Sequence, residues 1–136
     1  MKAIFDTNVV LDLLLDRKPF SQDAARCFSW VETGEIEGWL CASTVTTLHY
    51  LIRKSVGARK ARESIKLLLS LFEIAPVNKI ALEGALKLPF KDFEDAVLHE
   101  AACLINADVI VTRNKADFKH SRVPVRLPGE LEVANP

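Results

Sequence analysis

A chain of 136 residues has room for one domain, and it is long enough to bury roughly two-thirds of the surface that its unfolded form exposes. Its make-up, 49% hydrophobic and 26% charged, excludes a disordered or low-complexity protein, and no apolar run reaches membrane-spanning length. A formal net charge of zero excludes a uniformly basic surface, so the distribution of charge carries the information. Residues 1–136 are read as a single domain. The amino terminus enters an apolar segment directly, with no room for a secretion signal, so a cytoplasmic location is expected. Cys27, Cys41 and Cys103 are odd in number and widely spaced, which favours free thiols over a disulfide or metal cluster.

Taken in order, Ala3-Ile4-Phe5 is a continuous apolar run that stops abruptly at Asp6-Thr7-Asn8. That pattern predicts a strand buried on both faces, with Asp6 at its carboxyl end and Thr7 or Asn8 capping the helix that follows. The helix carries Val9 to Leu15, and Asp12 and Asp16 read as solvated acids on its outer stripe, with a metal role the less favoured reading. Ser21 caps a second helix ending at Gly34, with Phe28 and Trp30 in the core. A second strand, Gly38 to Ala42, leads through Ser43 or Thr44 into a third helix bearing Val45, Leu48, Leu51 and Ile52.

From Arg53 to Lys66 six basic residues stand against the single acid Glu63. Two readings apply: a solvated helix surface, or an edge that faces phosphates through Arg53, Lys54, Arg59 and Lys60. A fourth helix spans about Ala58 to Leu71, a third strand Phe72 to Val77, and a short helix capped by Asn78 runs from Ile80 to Leu88. Asp92 is placed to cap the next helix, which reaches about Asn106, with Asp92 and Asp95 on one side and Phe93, Val97, Ala101 and Leu104 on an apolar side. Asp108 to Val111 is a fourth buried strand, ending in Thr112-Arg113-Asn114-Lys115-Ala116-Asp117. Short buried strands alternating with helices predict an α/β fold with a central parallel sheet of about four to five strands flanked by helices.

A parallel sheet gathers its strand ends on one edge, so Asp6, Asp95 and Asp117, with Asp92 beside them, are expected to meet there. Carboxylates that close repel unless a proton or cation neutralises them, and hard oxygen donors suit magnesium or manganese. Thr7, Asn8, Thr112 and Asn114 add neutral groups for water or a phosphate.

These motifs together resemble the PIN-domain nucleases: Asp6-Thr7-Asn8 after an amino-terminal strand, Asp92-Phe93-Glu94-Asp95-Ala96, and Val111-Thr112-Arg113-Asn114 followed by Asp117-Phe118. The resemblance runs from about Ile4 to Pro128. It implies Mg2+- or Mn2+-dependent hydrolysis of RNA to 5′-phosphate ends, often by VapC-type toxins held inactive by an antitoxin, with a homodimer as a further possibility and no membrane association. Asp6, Asp95 and Asp117 are similar to the family's catalytic, metal-binding acids, Asp92 joins them as a metal ligand, and Arg113 and Lys115 join the basic residues that guide the RNA backbone.

One position departs from the family pattern. A glutamate is usual on the third helix, where Thr47 stands in this chain. Asp92 or Glu94 is a candidate replacement, with Asp92 the better aimed; failing both, the chain is a weakened nuclease or an RNA- or protein-binding module. His49 lies roughly 200° around the helix from Thr47 and is turned away, while His99, one turn beyond Asp95, is placed to approach the cleft or to be incidental on an exposed turn. A haloacid-dehalogenase-like phosphotransferase would want a second aspartate where Asn8 stands, and five glycines nowhere form a dinucleotide-binding loop.

Overall fold

Successive side chains of a strand point to opposite faces of a sheet, so a run such as Ala3-Ile4-Phe5 is stable only where both faces are covered. In a computed structural model describing residues 1–133, that is how the run is used. Ala3 and Phe5 enter one core with Val109 and Val111, while Ile4 enters a second core with Ile110.

The elements in order are β1 (Lys2–Phe5), α1 (Thr7–Leu14), α2 (Ser21–Thr33), β2 (Glu37–Cys41), α3 (Ala42–Val56), α4 (Ala58–Leu71), β3 (Glu73–Ala75), α5 (Lys79–Leu86), α6 (Phe93–Leu104), β4 (Val109–Val111) and β5 (Val125–Arg126). Short 3-10 turns cover Lys115–Phe118 and Pro128–Glu130. The first four helices supply Val9, Phe28, Leu48, Ile52 and Leu68 to the core that holds Phe5; α5 and α6 supply Ala85, Val97, Leu98, Ala101 and Ala102 to the other. Phe5, Phe28 and Phe72 meet edge to face, with centroids 5.1 to 5.9 Å apart, and fasten α2 and the approach to β3 onto β1. Gly38 makes room for this cluster, since a Cβ there would stand 2.8 Å from the Phe72 ring.

All strand pairs are parallel, in the order β3-β2-β1-β4-β5. The chain steps outward from β1 to β3, then returns through α5 and α6 to start again on the other flank of β1. The switch point therefore lies between β1 and β4, where the following loops diverge and leave a crevice outside the strands' carboxyl ends. This is the parallel α/β sheet expected from the sequence, with a fifth strand of two residues at the β4 edge. Among the described residues no helix is long and apolar enough to cross a membrane.

Several local expectations are corrected. Asp6 itself, rather than Thr7 or Asn8, caps α1. Ser21 is the first residue of α2 rather than its cap, and α3 starts at Ala42 with no side-chain cap. On α6 the buried stripe is Val97, Leu98, Ala101 and Ala102, whereas Phe93 and Leu104 are about half exposed. Those two residues sit at the ends of the helix, beyond the stretch that crosses the sheet. Asn78 and Asp92 cap α5 and α6 as expected, and the three cysteines are free thiols.

Candidate active site

Asp6 stands where β1 gives way to α1. Its backbone N–H donates to the Val111 carbonyl at 2.9 Å, continuing the β1–β4 pairing by one residue. Its carboxylate is held on both oxygens: Oδ1 accepts from the Thr7 N–H at 2.8 Å, and Oδ2 accepts from the Thr112 hydroxyl at 2.8 Å and the Asn8 amide at 3.4 Å. Thr112 in turn accepts from the Asn114 N–H at 3.0 Å, so the loop after β4 is shaped around Asp6. With 7% of its surface exposed, Asp6 is pushed above the ordinary carboxylate range by burial; the bonds from Thr112 and Thr7 work the other way, and Glu94 and Asp92 add to the rise.

The start of α6 supplies three more acids. Asp92 Oδ1 caps the helix by accepting from the Asp95 N–H at 3.0 Å. Asp95 is pushed up to about 7, first by burial and then by the charges of Asp6, Asp92, Asp117 and Glu94. Glu94 reaches across to α3, where its Oε1 accepts from the Thr47 hydroxyl at 3.0 Å. Asp117 sits on the 3-10 turn after β4, which the buried Phe118 ring pins to the core.

All five acids line one cleft of about 420 Å³, together with Thr7, Asn8, Thr47 and Asn114. Among the described residues no lysine or arginine lies within ion-pair distance of any of them. Hard oxygen donors crowded together, with burial and then neighbouring charge raising Asp95 to about 7 and no ion-pairing cation for the five acids among the described residues, fit a divalent ion such as Mg2+ or Mn2+.

Two cations line the cleft as well, and both are held by Asp12. Arg17 Nε meets Asp12 Oδ1 at 2.9 Å, and Arg113 Nε meets Asp12 Oδ2 at 2.6 Å. The Arg113 guanidinium also lies 3.9 Å from the centre of the Phe20 ring, and its backbone N–H donates to Asn8 Oδ1 at 3.3 Å. Asp12 is thus fully buried rather than solvated, because Arg17, five residues on, and Arg113, from beyond β4, fold over it. The sequence reading took Asp12 for a solvated acid, missed Arg17, and ranked Glu94 below Asp92. For Arg17, a spacing of five from Asp12 carries no helical signature, and for Glu94 the partner is 47 residues away.

The remaining candidates are placed as follows. Arg53 and Lys54 lie at the end of α3, beyond Leu51, and Arg59 and Lys60 begin α4; none of the four lines the cleft. Lys115 pairs with Glu130 at 3.0 Å, beyond the cleft lining. His49 opens onto a separate depression with Arg62 and Lys66. His99 does not approach the cleft, nor is it on an exposed turn: it is buried against Phe90 and accepts from the Arg122 N–H at 3.0 Å.

Known proteins share this fold. The family model described as "PIN domain" matches residues 2–116. Ribonuclease VapC1 of Aquifex aeolicus (strain VF5) is 24% identical over 122 residues, covering 86% of this chain and 84% of that protein. Among solved structures, DNA-bound VapBC from Salmonella typhimurium superposes with a TM-score of 0.73 at 17% identity, covering 94% of this chain and 98% of the other. A toxin-antitoxin complex from Klebsiella pneumoniae gives 0.69 at 25% identity, covering 95% and 99%. With the family model spanning most of the chain and the same fold recurring at this coverage, the chain belongs to the PIN-domain family.

Proposed function

We propose that this chain is a divalent-metal-dependent endoribonuclease, and that an antitoxin protein restrains it. One observation carries the catalytic reading: the acids of β1, α6 and the loop after β4 line a single cleft that contains no ion-paired lysine or arginine for them. Asp6, Asp95 and Asp117 would hold an Mg2+ or Mn2+ ion, with Asp92 contributing its uncommitted oxygen. When bound, the ion supplies a polarised water and neutralises charge on the scissile phosphate.

The chain's own groups do the rest. Thr7, Asn8 and Thr112 fix Asp6, so its oxygens are oriented before any ligand arrives. Asn114 and Thr47 present neutral polar groups to the cleft. Arg113, locked by Asp12 and by Phe20, offers remaining N–H groups to a phosphate oxygen from a rigid position. Lys115 and the basic end of the α3–α4 pair would hold the flanking RNA backbone outside the cleft. A protein partner is supported by the VapC name of the relative, by the toxin-antitoxin neighbours, and by Tyr50 on α3 and Leu67 and Leu69 on α4, each more than half exposed.

The test is cleavage of a panel of structured RNAs with Mn2+ and with chelator. Cleavage that needs Mn2+ and falls by more than about 100-fold in Asp6→Asn and Asp95→Asn supports the proposal. RNA binding that persists with no Mn2+-dependent cleavage establishes a binding module instead.

A further inference from the structure

Thr47 faces the cleft from α3, where a glutamate would place a carboxylate directly, and its hydroxyl donates instead to Glu94 Oε1 at 3.0 Å. We infer that Glu94 is the fourth carboxylate of the ion site, delivered from α6 and held over the cleft by Thr47. This rests on the divalent-ion reading above and adds a ligand to it.

Glu94 has the attributes of a ligand and lacks those of a surface acid. It is half-buried although it stands in the first turn of α6, where a glutamate serving only the helix dipole needs no partner and turns to solvent. Its contact with Thr47 joins two helices, restricting a long flexible side chain to one direction. Thr47 has one proton to give, and giving it to Oε1 leaves Oε2 uncommitted. The carboxylate lines the same cleft as Asp6, Asp95 and Asp117. Holding it there is unfavourable unless a cation joins the group, and among the described residues no side-chain cation does so.

Asp92, the better-aimed acid on sequence grounds, is exposed and spends Oδ1 on capping α6. Charge missing from position 47 is therefore supplied from position 94, and the threonine is a positioning residue for it. The two helices exchange roles: α3 donates the proton that aims the carboxylate, and α6 carries the carboxylate.

The experiment is Mn2+ titration of the full chain by calorimetry, read beside RNA cleavage. Glu94→Gln is expected to weaken Mn2+ binding by about 10- to 100-fold, and Thr47→Val, which removes the aiming proton, by about 10-fold. Thr47→Ser keeps the hydroxyl and is expected to hold wild-type affinity. The double variant Thr47→Glu with Glu94→Gln returns the charge to α3 and is expected to recover most of the lost affinity. Far-UV circular dichroism checks each fold, and Thr47→Val probes the same contact from the other helix should Glu94→Gln misfold.

Wild-type affinity in Glu94→Gln, alongside weakened binding in Asp6→Asn and Asp95→Asn, overturns the fourth ligand and leaves the three-acid site standing. Wild-type affinity in Thr47→Val overturns the positioning role. An unaltered chain that binds no Mn2+ overturns the inference and the reading beneath it together.

Discussion

Asp6 and Asp12 stand six residues apart at the start of the chain, and both are almost fully withdrawn from water, at 7% and 0% exposure. Their surroundings are opposite. Asp12 is clasped by two guanidinium groups, so its charge is balanced within the fold. Asp6 is surrounded by a backbone N–H, a hydroxyl, an amide and four other acids lining the same cleft, so its charge must be balanced from outside. Burial alone does not separate a structural acid from a functional one; the sign of the neighbouring charge does. Asp12 also serves the site indirectly by fixing Arg113 at its edge.

The largest expected effect sets these two against each other. Asp12→Asn leaves two arginines without their buried counter-charge and is expected to lower unfolding stability by about 3–5 kcal/mol, read from urea midpoints. Asp6→Asn removes a charge that burial disfavours, so stability is expected to stay level or rise while cleavage is lost. Equal destabilisation by both variants would break the distinction.

Next comes pH. Asp95 releases its proton near 3.8 when unfolded but only at about 7 when folded, so it favours the folded state fully below about 4. That contribution is expected to be lost as pH rises to about 7 in chelator. Thermal melts across this window should show the decline in the wild-type chain and a flatter profile in Asp95→Asn, and Mn2+ should restore stability at the upper end. The smallest effect is expected from Arg59→Ala, which breaks the exposed pair with Glu63; its melting point is expected to match wild type, because two solvated charges need no balance from each other.

The sequence made the sheet legible because its strands are short apolar runs ended by polar residues, and the parallel order follows from helices between them. The gathering of Asp6, Asp95 and Asp117 was legible for the same reason, since strand ends and the helix before β4 share one edge. What stayed hidden depends on contacts between distant side chains. Asp12 reads as an outer-stripe acid until Arg17 and Arg113 fold over it. Glu94 points away from Asp95 on a helical wheel, yet α3 crosses in front of α6 and brings Thr47 to meet it. His99 looks incidental on an exposed turn until Phe90 and the Arg122 backbone enclose it. The α1 cap was misplaced because adjacent Asp6, Thr7 and Asn8 are interchangeable in pattern and are distinguished only by backbone angle, whereas α2 begins at Ser21 with Phe20 in the cap position and no side-chain cap.

The hydrogen bond between Thr112 and Asp6 spans 106 positions of the chain, and the β1–β4 pairing that aligns them has the same reach. A polypeptide still emerging from the ribosome carries Asp6 more than a hundred positions ahead of Thr112. Until residues 109–117 have been released and β4 has docked against β1, the loop that grips the Asp6 carboxylate does not exist, and neither does the wall that holds Asp117. The cleft thus assembles only after residue 117 has left the ribosome, so the order of the chain withholds any activity of that cleft until that stretch is free to fold.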